Sequence, residues 1–241
     1  MTHIYRRTAY TVYQNRWSAR SRPRPAVHTV PMPSESLPDR WSALLLRCGA
    51  SVDPDPYGSD LLRRWAEPQR RYHGTDHLRA VLDHVDALAA DAGNPDTVRL
   101  AAWFHDAVYK PDRSENEERS AALAVRALTE AGLPAAQVAE VARLVRLTVT
   151  HHPEPGDRDG EVLCDADLAV LGGSPEAYAA YAAAVREEYA FVPEEAFRAG
   201  RAAVLRQLLA LPALYRTRTA RARFDAAARA NLAAELTRLG G

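Results

Sequence analysis

The sequence predicts an all-α fold in a single domain, and three observations predict it. Hydrophobic residues make up 47% of the 241 positions, enough to bury a sizeable core. Alanine, leucine and arginine, which are strong helix formers, dominate the composition. Apolar residues recur at helical spacing along most of the chain, and no useful segment alternates with the period of two that marks a strand.

The first four predicted helices follow one another from Ser36 onward. Ser36 or Asp39 can cap the first, and Asp53-Pro-Asp-Pro marks a loop before the second. The third repeats apolar residues at helical spacing and ends at Gly93, a residue type that favours helix C-termini. The fourth contains the apolar run Leu100-Ala-Ala-Trp-Phe, which indicates a buried helix. These helices are expected at residues 36–48, 57–67, 75–91 and 95–108.

Capping residues also delimit the later helices. Ser114, with Glu117 three residues on, matches a capping box. Pro134 in a first turn opens a helix that runs to about Thr150, and a helix beginning at Val162 ends at Gly172-Gly173. The last three helices are expected to begin at Ser174-Pro175, at Pro193 and at Thr219 or Ala220, the final one running to Leu239.

The N-terminal segment differs from the rest, because residues 1–34 contain six arginines and no acidic residue. The prolines of Ser21-Arg-Pro-Arg-Pro resist regular structure. We predict a disordered, Arg-rich extension over residues 1–35 and one helical domain over residues 36–241. Alternatively, the extension is a transit peptide, an arm that binds anions, or untranslated sequence upstream of a start at Met32.

The bulk properties exclude several classes of function. Formal net charge is zero, so no overall charge favours nucleic acid or an anionic membrane as a partner. No apolar run approaches the length of a membrane-spanning helix. Cys48 and Cys164 do not make a disulfide framework, so the cytoplasm is the expected location. The amphipathic last helix could pack internally or against a second copy, as in an oligomer.

Candidate metal ligands form four short groups in the middle of the chain. His105-Asp106 closes the apolar run of the fourth helix. Because adjacent helical residues point about 100° apart, both can bind one ion only near a distorted helix end, or else they face two ions. A carboxylate at such a place is rarely buried unless it is paired or metal-bound. The other groups are His73 with His77, which share a helix face, His151 with His152, and Asp165 with Asp167.

Each group also has a purely structural explanation. His73 and His77 could be ordinary surface or core histidines. Asp106 could pair with an arginine or a helix end, and the two later aspartates could cap their own helix. The histidine pair at residues 151–152 follows a helix C-terminus, where the dipole favours histidine.

The order of these groups, H…HD…D on successive helices, resembles the HD superfamily of metal-dependent phosphohydrolases, and most of all its bacterial branch of predicted metal-dependent HD phosphohydrolases. The resemblance covers about residues 60–190. It implies an HD-type helical bundle with a C-terminal helical extension. The segments that carry it are Arg71-Tyr-His-Gly-Thr-Asp-His-Leu, Ala102-Trp-Phe-His-Asp-Ala-Val-Tyr, Asn116-Glu-Glu-Arg-Ser-Ala and Asp165-Ala-Asp-Leu-Ala-Val-Leu-Gly.

A more distant similarity to cyclic-nucleotide phosphodiesterases implies roles for individual residues. Those enzymes carry Tyr-His-Asn-x-x-His, in which the first histidine is the general acid and the second binds metal. Tyr72-His73 and His77 match this spacing, although Gly74 replaces the asparagine. The implied ligands of a divalent ion are His77, His105, Asp106 and Asp167, with His73 and Asp106 as catalytic residues. Asp167 is preferred to Asp165, and His151, His152 or Asp165 could reach a second ion or the substrate.

The resemblance implies hydrolysis of a phosphate ester or anhydride, in a nucleotide or related small metabolite, by metal-activated water. Imidazole and carboxylate ligands suit Mn²⁺, Fe²⁺, Ni²⁺ or Zn²⁺, and Mg²⁺ is a further candidate. His73 would protonate the leaving oxygen. Candidate phosphate-binding residues are Lys110, Arg113, Arg119 and Arg71, although each could equally lie on a solvated helix face.

Three other functions remain open at this point. An HD fold could hold a nucleotide and a metal as a sensor with little turnover. A metal-free helical interaction protein would use its histidines and aspartates only as caps and surface groups. A di-iron oxygenase is the third, because some HD relatives carry two irons and the chain has extra histidines at positions 151 and 152.

Overall fold

A computed structural model describes residues 35–240, and within this range the chain forms ten α-helices, one short 3-10 helix and no strand. This confirms the predicted all-α class, with the described helices gathered in one domain. In the described range, no helix is both long enough and apolar enough to cross a membrane. The predicted extension up to residue 34 and the alternative start at Met32 lie outside the described residues.

The helices are α1 (Leu37–Arg47), α2 (Asp55–Trp65), α3 (Thr75–Ala87), α4 (Pro95–Phe104), α5 (Asn116–Glu130), α6 (Ala135–Leu147), α7 (Arg158–Asp167), α8 (Pro175–Glu188), α9 (Glu194–Ala210) and α10 (Arg218–Arg238), with the 3-10 helix at Leu168–Gly172.

Several helix ends differ from the prediction for local reasons. Ser36 caps α1, as predicted, by accepting a hydrogen bond from the Asp39 N–H. α2 begins at Asp55, two residues earlier than predicted, and includes Pro56 in its first turn. A proline is tolerated there because the N–H that it lacks would have no partner within the helix. The predicted capping box at Ser114 is wrong. α5 begins two residues later, after Glu115, and the Ser114 hydroxyl bonds to the Glu115 carboxylate instead.

α4 is the centre of the domain. Residues 100–105 are at most 1% exposed, and the helix packs against α1, α3, α5, α6 and α7. The rings of Trp41 and Trp103 meet edge to face at 5.2 Å, and the Trp65 indole N–H donates to the Trp103 carbonyl at 3.0 Å. Because neighbours cover α4 on all sides, the residues that follow its last turn lie inside the protein.

The C-terminal helices α8, α9 and α10 form an extension beside this core. α8 and α10 pack against the 3-10 helix, and α9 packs against α10. A buried ion pair joins α9 to α10, in which Arg201 donates to both carboxylate oxygens of Glu235 at 2.8 and 2.9 Å. The Tyr178 hydroxyl on α8 donates to the same carboxylate, so one acid links all three helices.

Gly172 is required where α10 crosses the 3-10 helix. A Cβ at this position would lie 2.8 Å from the Phe224 carbonyl oxygen and 2.9 Å from its Cα. These are backbone atoms in the middle of a helix, so they cannot move aside at low cost. The absence of a side chain at Gly172 therefore sets how closely the extension approaches the core.

We expect Gly172→Ala to lower the free energy of unfolding by about 1–3 kcal/mol, because overpacking forces the two backbones apart. Urea denaturation of the purified variant would measure the loss. Gly173→Ala is the matched control. Its Cβ would lie 3.2 Å from the nearest atom, the Val170 carbonyl oxygen, so a smaller loss is expected. Equal losses in the two variants would contradict this account of Gly172.

Candidate metal centre

Three helix ends bring two histidines and one aspartate together inside the domain. His77 comes from the first turns of α3, His105 directly follows α4, and Asp167 is the last residue of α7. His77 Nε2 lies 3.2 Å from His105 Nε2 and 3.2 Å from Asp167 Oδ1. His105 Nε2 lies 3.7 Å from the same oxygen. One donor atom from each of three segments thus converges on one point.

These distances fit a shared metal ion. Ligand atoms about 2.0–2.2 Å from an ion lie roughly 3.0–3.6 Å from one another, close to the separations found here. The tautomer of His105 is also consistent with metal binding. Its Nδ1–H donates a hydrogen bond to the Ala102 carbonyl oxygen at 2.8 Å. This bond leaves the Nε2 lone pair for the cluster, an arrangement usual for metal-bound histidine. The donor set of two imidazoles and one carboxylate suits Mn²⁺, Fe²⁺, Ni²⁺ or Zn²⁺ better than Mg²⁺, which prefers oxygen.

The protonation states favour metal binding too. Burial would raise the pKa of Asp167, but nearby His105 and hydrogen bonds from His151 and His77 hold this pKa well below its ordinary value. Burial lowers the pKa of His77 and outweighs the opposing hydrogen bond with Asp167. The carboxyl group is therefore ionised and the His77 imidazole neutral, the forms that coordinate a cation.

Asp106, the predicted fourth ligand, lies at the edge of this cluster. Its Oδ2 is 3.5 Å from His105 Nε2. Among the described residues, however, the group whose donor atoms all lie within 4.8 Å of one another consists of His77, His105 and Asp167. α4 ends at Phe104, and His105 directly after it keeps helical dihedral angles, with φ −54° and ψ −40°, so the distorted helix end expected for the dyad is not seen at His105.

Three residues were predicted to bind a second ion or the substrate. His151 lies next to the cluster, whereas Asp165 and His152 do not. His151 joins the cluster, with Nε2 2.7 Å from Asp167 Oδ2, and it has a φ of 49°, a backbone conformation rare for a residue with a side chain. Asp165 does not join it. Both of its carboxylate oxygens accept backbone N–H groups, from Arg216 and Thr217, each at 2.7 Å, just before α10. His152 is exposed and bonds to the Arg216 guanidinium at 3.1 Å.

His73, the predicted proton donor, is held by a glutamate from α8. Its Nδ1 lies 2.6 Å from Glu188 Oε2, and its ring stacks on Tyr109 with centroids 4.3 Å apart. The Tyr109 hydroxyl donates to the same Glu188 oxygen at 3.0 Å. Burial lowers the pKa of His73, but the hydrogen bond to Glu188 and the negative charges of Asp106, Glu188 and Asp167 together outweigh it and raise this pKa. His73 therefore stays protonated to a higher pH than an ordinary histidine.

Glu188 also organises the backbone of the first motif. Its Oε1 accepts three consecutive N–H groups, from Arg71, Tyr72 and His73, at 2.8–2.9 Å. Burial would raise the pKa of Glu188, yet the bonds from His73 and from these N–H groups lower it to about 2. One carboxylate thus fixes both the position and the charge of His73.

Arg70 joins the first motif to the second. Its Nη1 donates to the His73 carbonyl at 2.9 Å and to the Asp106 carbonyl at 2.7 Å, and its guanidinium lies over the Trp65 and Tyr109 rings. The side chain is 1% exposed. Because a single guanidinium bonds to both segments, it fixes the spacing between the two motifs.

A cavity of about 260 Å³ opens beside these groups. His73, His105, Asp106, His151 and Asp167 line one part of it. Of the predicted phosphate-binding residues, Arg113 lines the cavity, whereas Lys110, Arg119 and Arg71 are exposed and do not line it.

Glu188 and Arg70 are site residues that no sequence motif indicated. Glu188 lies 115 residues from His73, and nothing in its helix distinguishes it from other acidic residues. Arg70 is adjacent to Arg71, and no local pattern indicates which of the two is buried. Both residues act on backbone groups, and the positions of those groups are set by the tertiary structure.

Comparison with known proteins gave no match to a family model, to a curated protein or to a solved structure. The resemblance to the HD superfamily therefore rests on the sequence motifs alone, and function has to be argued from the geometry of this site.

We expect the protein to bind close to one equivalent of Mn, Fe, Ni or Zn, and His105→Ala to lose it, because the variant removes one of three converging donor atoms. Elemental analysis after reconstitution and desalting would measure the content. His152→Ala is the matched control, since His152 is exposed and outside the cluster. The metal centre is refuted if the wild type binds no ion or if the two variants bind equally.

The low pKa of Glu188 predicts a stability effect in acid. Its pKa is about 2 in the folded protein and ordinarily 4.5, so its ionised form stabilises the fold fully above pH 4.5. The contribution, up to about 3 kcal/mol, is lost as the pH falls from 4.5 towards 2. We expect the stability difference between wild type and Glu188→Gln, measured by urea denaturation, to shrink over this interval. The exposed neighbour variant Glu187→Gln is the control, and a pH-independent Glu188→Gln difference would contradict the assignment.

Proposed function

We propose that this protein is a metal-dependent phosphohydrolase, which cleaves a phosphate ester or anhydride of a small metabolite. The observation that carries the proposal is the convergence of His77 Nε2, His105 Nε2 and Asp167 Oδ1 within 3.2–3.7 Å of one another. His73 lines the same cavity and bonds to Glu188, and this bond together with nearby carboxylates raises the pKa of His73 against the effect of burial. A metal centre beside a proton donor is what phosphate hydrolysis requires.

His77, His105 and Asp167 would hold the ion, and Asp106 lies close enough to join them or to bind a water molecule. A divalent ion bound there supplies an activated water and offsets negative charge on the phosphoryl group. Nearby histidines hold the pKa of Asp167 well below its ordinary value, so its ionised carboxylate would supply a negative charge to a bound cation. His151 bonds to the second oxygen of Asp167 and orients that carboxylate towards His77 and His105.

His73 would donate a proton to the leaving oxygen. Its Nδ1–H is engaged by Glu188, so its Nε2 is the nitrogen left to act in the cavity. Glu188 raises the pKa of His73, and the stacked Tyr109 ring fixes the plane of the imidazole. These contacts pre-orient the donor before substrate arrives, which is the condition for efficient general-acid catalysis.

This arrangement favours a hydrolase over a nucleotide sensor and over a metal-free interaction protein. A sensor that only binds nucleotide has no need of an oriented proton donor, and a helical interaction protein has no need of ionised Asp167 among buried imidazoles. The cavity, rather than the protein surface, receives these groups. Acid–base chemistry on a bound small molecule accounts for all of them.

We expect the protein reconstituted with Mn²⁺ to hydrolyse one or more members of a panel of small phosphate esters, and chelation to abolish the activity. His73→Gln should keep its metal content and lose about 10²–10⁴-fold in kcat, because the leaving oxygen then departs unprotonated. His84→Gln is the matched control and should retain activity, because His84 lies on α3 outside the cavity, with its ring against Phe224 of α10. Full activity in His73→Gln would reject its role, and a reconstituted wild type inert towards the whole panel would reject the proposed function.

A further inference from the structure

The cavity that holds the proposed catalytic groups has two unlike parts. His73, His105, Asp106 and Asp167 line one of them. The other is a wall supplied by the C-terminal extension, with side chains from α8, from the turn that follows it and from α9. This apolar wall consists of Tyr181, Val185, Tyr189, Phe197 and Val204.

The apolar wall is already assembled. The ring centroids of Tyr189 and Phe197 lie 6.3 Å apart, and the Arg186 guanidinium covers Phe197 at 4.6 Å from its ring centroid. Tyr181 is fixed by contact with Tyr72, at a centroid distance of 4.7 Å. Preformed apolar surface beside a few polar groups is the usual form of a site for an organic ligand.

The charges around the cavity limit how many phosphate groups it can take. Two arginines line it, but Arg201 is neutralised by its two bonds to Glu235. The Nε of Arg113 lies 3.8 Å from the Asp112 carboxylate, so this arginine also has an acidic partner. The lining also carries the carboxylates of Asp106, Glu117 and Asp167. A divalent ion could receive one phosphate group, whereas each additional phosphate would add negative charge beside these carboxylates and meet only arginines that already have acidic partners.

From these two features we infer that the site takes the monophosphate ester of an apolar, preferentially aromatic, alcohol. The phosphate would lie at the metal centre and the organic group against the apolar wall. The volume agrees, because an apolar cavity of about 150 Å³ holds a benzene ring, and the 260 Å³ found here leaves room for a phosphate group as well. The inference rests on the proposed function for the identity of the reaction and on the cavity for the class of ligand.

Binding of phosphonates, which cannot be hydrolysed as esters, tests the ligand class without catalysis. Isothermal titration of the full-length, Mn²⁺-loaded protein would compare benzylphosphonate with 2-hydroxyethylphosphonate. We expect benzylphosphonate to bind at least tenfold more tightly, since burial of one ring is worth this much or more. Equal dissociation constants would overturn the inference even if the protein hydrolyses phosphate esters.

A comparison of hydrolysis rates tests the ligand class and the proposed function separately. We expect kcat/KM for 2-phenylethyl phosphate to exceed those for glycerol 1-phosphate and for 2-phenylethyl diphosphate by tenfold or more. The two monoesters both release a primary alcohol, so recognition dominates their comparison. The diphosphate can release a phosphate, which is a better leaving group, so its intrinsic reactivity is higher and a preference for the monoester must come from recognition. A preference in phosphonate binding with no hydrolysis of any ester would reject the proposed function and keep the ligand class. Similar kcat/KM values for the three esters would reject the ligand class and keep the function.

Val204→Asp places a carboxylate in the apolar wall and should reduce the preference for benzylphosphonate at least tenfold. Val125→Asp makes the same substitution on the exposed face of α5, outside the cavity, and should leave the preference unchanged. An unchanged preference in folded Val204→Asp would overturn the placement of the organic group. The wild-type comparison of phosphonates decides the ligand class if this variant fails to fold.

Discussion

The carboxylate of Asp167, whose side chain is 15% exposed, is the group on which the arrangement of the domain depends. An ionised acid inside a protein is tolerated only when partners replace the lost water. Here the partners are His77, His105 and His151, supplied by α3, by the end of α4 and by the segment after α6. Four segments must therefore meet at one point, and the packing of α3, α6 and α7 around the central α4 brings their ends there. The strained backbone of His151 is consistent with this demand, because a positive φ is retained where the surrounding contacts require it.

Two further buried charges hold the loops that carry the histidines. Glu188 accepts three successive backbone N–H groups at residues 71–73, and Arg70 donates to the carbonyls of His73 and Asp106. These loops have no regular hydrogen-bond ladder of their own, so buried backbone groups there need other partners. A charged side chain is an effective partner because hydrogen bonds to an ionised group are stronger than those between neutral groups. The site is thus rigid although much of it lies between helices.

Much of the fold could be predicted from the sequence, since helix periodicity and capping are local properties. Ser36, Pro134 and Ser174 mark helix starts correctly, whereas Ser114 misleads because Glu115 competes for its hydroxyl. The proximity of His77, His105 and Asp167 followed from the order of the motifs. The spacing of the motifs did not show whether Asp165 or Asp167 faces the histidines. That choice depends on where α7 ends and where α10 passes. The roles of Glu188 and Arg70 could not be predicted, since each acts on backbone atoms whose positions only the tertiary structure defines.

α8 contributes to the site in two ways at once. Tyr181 and Val185 on this helix form part of the apolar wall, and Glu188 at its last turn sets the charge of His73. A displacement of the helix by a bulky organic group would lengthen the Glu188–His73 bond and weaken the proton donor. Under the proposed function, selectivity and turnover would then not be independent traits of this protein. Substitutions on α8 that widen the substrate range through the apolar wall should therefore lower the rate of hydrolysis. Substitutions on α9 leave the Glu188–His73 pair in place, so they should change the specificity with less effect on the rate.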